Sequence, residues 1–168
     1  RGDTKSMQEG DCHFKYESEE WNLQKEELLY KWLGDEHAVI FILTIGQITE
    51  TWDDLIDKDK QISDDHINEV FMHMLTSLPL NPFFDRYKLQ LIPVLIVGIN
   101  AWMDANKLEK KSKNDKVFAY VLRDYILEIT NMAVYLLKGR EAMKEYSLEI
   151  RSFFTKHEPL DMYLEKLK

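Results

Sequence analysis

From residue 19 onward, apolar positions recur three and four apart, the spacing of one face of a helix. Trp21, Leu28, Leu29, Trp32 and Leu33 form a first stripe, and Gly34 closes that helix at its C-terminal end. Asp35 then stands as an N-cap for a second helix running to about Lys58. Its Ala38 to Leu43 run is apolar on every face, so this helix is expected to be central. Ser63, with Asp64 and Asp65 behind it, starts a third helix carrying Ile67, Val70, Phe71, Met74 and Leu75. The segment SLPLNP breaks it, and Asn81 followed by Pro82 starts the next, which runs to about Lys107 with a kink or restart at Pro93.

Glu109 to Asn114 reads as a polar, lysine-rich connector. A long helix follows from Asp115 to Lys138, closed by Gly139, then an amphipathic one from Arg140 to about His157. Pro159 opens a last short turn of helix ending at Leu167. Neither strand-like alternation nor a solenoid repeat is visible. The expectation is therefore an all-α, single-domain bundle of about six helices over residues 19–168. Residues 36–58 and 115–138 supply its central helices. Arg1 to Ser18, polar and without period, reads as an extension that Phe14 and Tyr16 help to order.

Composition narrows the function. The chain has 168 residues, enough for one domain with a real core. A net charge of −8 argues against nucleic acid and against anionic membrane surfaces. The longest apolar run, Leu89 to Trp102, is interrupted by Pro93 and Asn100 and is too short to span a bilayer. The single cysteine, Cys12, excludes an internal disulfide and points to a cytoplasmic setting.

Candidate chemistry sits at the end of the second helix. Asp53, Asp54 and Asp57 form a DDxxD, and with Gln47 and Glu50 they fall within about a third of the helix circumference. Carboxylates crowded near a helix C-terminus repel one another and oppose the macrodipole. Mg²⁺ completed by a phosphate-bearing ligand would offset that cost, and so would plain solvation. On the 115–138 helix a second polar line runs Tyr120, Asp124, Glu128, Asn131 and Tyr135, flanked by Arg123. It faces either solvent or a cleft opposite the first acidic set. Asn100, Asp104 and Lys107 form a third polar line, and Lys107, Lys110, Lys111, Lys113 and Lys116 are phosphate-binding or solvated. His37, His66, His73 and His157 show no zinc pattern, and nothing supports covalent nucleophilic catalysis.

A DDxxD closing a central helix, paired with a second acidic helix, resembles the class I isoprenoid (terpenoid) synthase fold. The resemblance implies that Asp53, Asp54 and Asp57 hold Mg²⁺ and a small-molecule diphosphate. It implies a second metal set at Asp124, Glu128 and Asn131, with Arg123 and Lys107 as diphosphate contacts. Those three give the residue types of that family's second motif in another order and spacing, and the chain is about half the usual length. The implied activity is a Mg²⁺-dependent prenyl-diphosphate lyase or transferase, or a relative that has lost catalysis.

A second resemblance is to the all-α nucleoside triphosphate pyrophosphohydrolases, the MazG-like and dimeric dUTPase group. It rests on Glu17 and Glu20 as an ExxE and on Glu50 and Asp53 as an ExxD. The third reading is a non-catalytic helical protein that binds a partner or assembles as a homo-oligomer, with Trp21, Trp32, Trp52 and Trp102 as core or interface.

Overall fold

A computed structural model describes residues 19–58, 60–156 and 158–167 of the chain. The extension 1–18, with Cys12, Phe14, Tyr16 and Glu17, lies outside the described residues, as do Asp59 and His157. Among the described residues every regular element is helical. In order these are α1 (Glu19–Leu33), α2 (Glu36–Asp57), α3 (Asp64–Met72), a π-helical turn (His73–Ser77), α4 (Leu78–Leu80), α5 (Pro82–Leu108), α6 (Lys113–Arg123), α7 (Ile126–Thr155) and α8 (Leu160–Lys166).

The starts are set by side-chain caps. Asp35 accepts from the Ala38 amide at 2.8 Å, Ser63 from His66 at 3.2 Å, and Asn81 from Phe84 at 3.0 Å. Asn81 also ties two elements together, because its Nδ2 donates to the His37 carbonyl at 2.9 Å. Ser112 and Asp115 form a reciprocal capping box, so α6 begins slightly earlier than expected. Lys58, in the left-handed region at φ 57°, ends α2 by donating its amide to the Asp54 carbonyl.

The core is built where α1, α2, α5 and α7 meet. Trp32, Leu29, Leu33, Val39, Phe41, Leu91, Val134 and Ile150 are all essentially closed to water. The second helix is central as its composition requires: α2 packs on α1, α3, the π-helical turn, α5 and α7. Ile40, however, stays exposed, so its apolar run is not covered on every face.

Two further differences from the expected layout bear on function. The third helix does not stop at Ser77. It widens into the π-helical turn, where the Leu78 amide reaches back to the His73 carbonyl. Pro79 has no N–H to return to Leu75, and its ring crowds the preceding turn, which a wider turn relieves. Only Val70 of α3 is buried, and Phe71, Met72, Met74 and Leu75 face solvent.

The second difference is that the expected 115–138 helix is two helices. Arg123 ends α6, Asp124 leaves helical geometry at φ −88°, ψ 41°, and α7 restarts at Ile126. Only its second part is central, since α6 packs on α5 and α8 whereas α7 packs on α1, α2 and α5. The break lays the Tyr125 ring on Gly98 of α5, where a Cβ would lie 2.7 Å from Tyr125 Cδ1. Gly139 interrupts α7 at φ 83°, ψ −177°, a region essentially reserved for glycine.

Candidate functional site

The acidic end of α2 meets α5 and α6 around one cation, Arg123. Its Nη2 donates to Asp53 Oδ1 at 2.9 Å and stands 3.6 Å from Asp57 Oδ2. Its Nη1 donates to Asn106 Oδ1 at 2.8 Å and to Glu109 Oε1 at 2.7 Å. The planar guanidinium suits this role, presenting donors in two directions at once. Trp102 adds a second donor to Asp53 Oδ1 at 2.7 Å, and its ring lies against Trp52 with centroids 4.1 Å apart. Tyr163 of α8 closes the set, donating to Glu109 Oε1 at 2.6 Å.

Burial sets the electrostatics. Desolvation pushes the Asp53 carboxyl above its ordinary range, aided by Asp57 and Asp54 and opposed by Arg123 and the Trp102 donor. Burial works against the charge of Arg123 as well, but Asp53 and Glu109 outweigh it and hold the guanidinium charged. Tyr163 is pushed well up by burial and by its bond to Glu109. Asp124, desolvated and facing the Glu158 charge, is raised to about 6 in spite of neighbouring Arg123. Tyr120 locks the same corner, donating to the carbonyls of Thr155 and Glu158 at 3.2 and 2.7 Å.

The nominated residues do not share one cavity. Asp53 and Asp57 turn to Arg123, while Asp54 faces Lys60 at 3.6 Å. Asp124 sits in the α6–α7 break. Glu128 is held at the surface by Arg151 in a two-pronged bond, both contacts at 2.8 Å. Asn131 is buried in the core with neither amide atom bonded. The polar line on the expected helix is thus dispersed by the break. Arg123 is already bound by protein acids, and Lys107 is exposed beside Asp104 at 3.1 Å. Among the described residues, no group of three or more His, Cys, Asp or Glu side chains is placed to hold a metal ion.

Other nominated groups are spread similarly. Lys116 donates to the Leu167 carbonyl, and His73 pairs with Glu69 and Ser77 on its own helix. His66 and the Thr51 hydroxyl share a hydrogen bond at 3.0 Å, on the wall of an open cleft of about 450 Å³. Gln47, Glu50, Asp54 and Lys60 line that cleft too. Glu20 and Glu50 lie on different helices, and Glu17 is outside the described residues.

Asn106, Glu109 and Tyr163 escaped the sequence reading, and Trp102 entered it only as a core or interface residue. The available signal was Arg123 itself, a lone cation beside a mostly apolar stretch, which calls for acids from elsewhere in the chain.

The other feature is a surface. Between Leu89 and Met103 the outer side of α5 shows Leu89, Ile92, Ile96, Val97, Ile99 and Met103 to solvent, Leu89 at 82% and Ile96 at 54% of full exposure. Gln90, Pro93 and Asn100 are exposed within the same stretch. The helix's inner side is anchored by Phe83, Leu91, Gly98 and Ala105. By length and composition α5 is the one described helix able to cross a bilayer, yet here it packs on α2, α6 and α7.

Comparison with protein-family models, with curated proteins and with solved structures finds no match to this chain.

Proposed function

We propose that this chain is a non-catalytic helical module whose working surface is the outer face of α5, used to bind a protein partner. The observation that carries the reading is that largely aliphatic face on an otherwise well-anchored helix. The largest apolar patch on a chain is often its functional surface. The acidic end of α2 has a structural use in this reading. Asp53, Asp57, Glu109 and Asn106 hold Arg123, which fastens α6 to α2 and α5.

Thermal unfolding with and without Mg²⁺ plus inorganic pyrophosphate tests it, on the wild type and on Asp54→Asn. No shift is expected in either. A ligand at about 100 times its dissociation constant adds roughly 2.7 kcal/mol, several degrees at this size. A rise of that order in the wild type, lost in Asp54→Asn, would overturn the proposal in favour of diphosphate chemistry at the cleft beside Asp54. Ile96→Asp with Ile99→Asp should keep helical circular dichroism and cooperative unfolding. An unfolded variant would make the face part of the core and remove the basis of the reading.

A further inference from the structure

We infer that the outer face of α5 pairs with the same face of a second copy of this chain, antiparallel, about a two-fold axis at Ile96. The inference rests on the reading of that face as a protein-binding surface and names its partner.

The charges at its two ends carry the argument. Asp85, beside Lys88 at 2.8 Å, lies eleven residues before Ile96, and Lys107, beside Asp104 at 3.1 Å, eleven after it; both are exposed and open to a further partner. At about 100° per residue, each falls within roughly 20° of the Ile96 direction, on the seam rather than the flank. A two-fold axis across the seam therefore sets Asp85 of each copy opposite Lys107 of the other, at both ends of a contact about 33 Å long. A parallel pairing would instead set like charges together, Lys107 on Lys107 and Asp85 on Asp85. Self-complementarity of this kind is what an isologous interface demands.

The apolar positions obey the same symmetry. In the antiparallel register Ile96 meets Ile96, Leu89 meets Met103, and Ile92 meets Ile99 of the second copy. All of these side chains are substantially exposed in the single chain. Their uncovered surface amounts to roughly 500 Å² per copy, so pairing removes on the order of 1,000 Å² from water. That reaches the lower bound of a specific interface before any rim contact is added. A lipid surface explains the face less well. Asp85, Arg86 and Lys88 at one end and Asp104 and Lys107 at the other give it mixed charge, and the chain as a whole carries −8.

Sedimentation velocity of the full chain, from roughly 1 to 100 µM, reads the result directly. A concentration-dependent dimer is expected for the wild type and a monomer for Ile96→Asp. Asp85→Lys alone and Lys107→Asp alone should each weaken the dimer by about tenfold, and the two together should restore it to within a few-fold of wild type. Failure of the double swap to restore, with Ile96→Asp still monomeric, overturns the antiparallel register. A wild type monomeric throughout the range overturns the dimer but leaves the partner-binding reading standing. Co-flotation of that monomer with neutral or anionic phosphatidylcholine-based vesicles, lost in Ile96→Asp, overturns both. The Mg²⁺–pyrophosphate shift described above would strike the reading itself, so the two failures are told apart.

Discussion

Arg123 shows how one residue can be prominent in a sequence for the wrong reason. It flanks an acidic line, which makes it look like an anion contact, yet its own chain supplies the anions: Asp53, Asp57 and Glu109. Its side chain and those of Asp53 and Glu109 are mostly covered, so removing the cation strands buried acids rather than freeing a surface. Arg123→Ala should cost about 2–4 kcal/mol in urea unfolding. Arg123→Lys should recover less than half of that, because one ammonium cannot span Asp53 and Asn106 together. Adding Asp53→Asn to Arg123→Ala should recover part of the loss, and strict additivity would show that the two do not interact.

Asp124 makes the pH prediction. Its folded-state value of about 6 lies above the ordinary 3.8, so the folded chain holds an extra proton between those limits. Asp53, also raised, has the same sign. The contribution of these groups therefore falls as pH rises through that window and is level above it. Asp124→Asn should stabilise the chain at pH 7 by on the order of 1–2 kcal/mol and flatten the profile between about pH 4 and 6. A variant less stable at pH 7 would mean that the charged carboxylate holds the α6–α7 break. Asn131 gives the matching core test: with both amide atoms buried and unbonded, Asn131→Leu should raise stability by about 1 kcal/mol.

Helix ends were readable from short-range chemistry. Asp35, Ser63, Asn81–Pro82 and Gly34 mark boundaries because a cap acts within three residues of itself. The break at Asp124–Tyr125 was not readable, since a helical period runs straight through it and its cause lies 27 residues back along the chain from Tyr125, at Gly98. There the absence of a side chain leaves room for the Tyr125 ring. Once the break shifts the phase between α6 and α7, positions four apart no longer share a face, and the polar line from Tyr120 to Tyr135 dissolves. The same holds for the candidate site: the DDxxD is legible in the sequence, whereas the arginine that occupies it is fixed only by tertiary packing. Gly98→Ala should therefore destabilise by about 1–3 kcal/mol despite the better helix propensity of alanine. Gly98→Ala with Tyr125→Leu should recover much of this. Gly139→Ala should cost a comparable amount for a different reason, since space is open there and only the backbone geometry objects.

Across the whole molecule, burial is distributed unevenly, and that predicts which parts open first. α1, α2 and the first half of α7 share the closed core of Trp32, Phe41, Leu29 and Val134. The segment from α3 through the π-helical turn to α4 holds on chiefly through Val70, the Thr51–His66 bond and Leu78 packed on the core's edge. Few apolar contacts then oppose its opening, and its widened turn gives weaker intrahelical bonding than a regular one. Native-state hydrogen exchange should show the α3–α4 amides opening at a free energy well below the global value, while α2 amides from Phe41 to Ile45 exchange only on global unfolding. Phe71, Met72, Met74 and Leu75, already in solvent, should leave that local opening nearly independent of protein concentration. The amides of α5 should gain protection as concentration rises if two copies meet there. Equal protection of α5 at all concentrations, alongside a demonstrated dimer, would move the interface off this helix, and the exposed α3–α4 segment would be the next face to test.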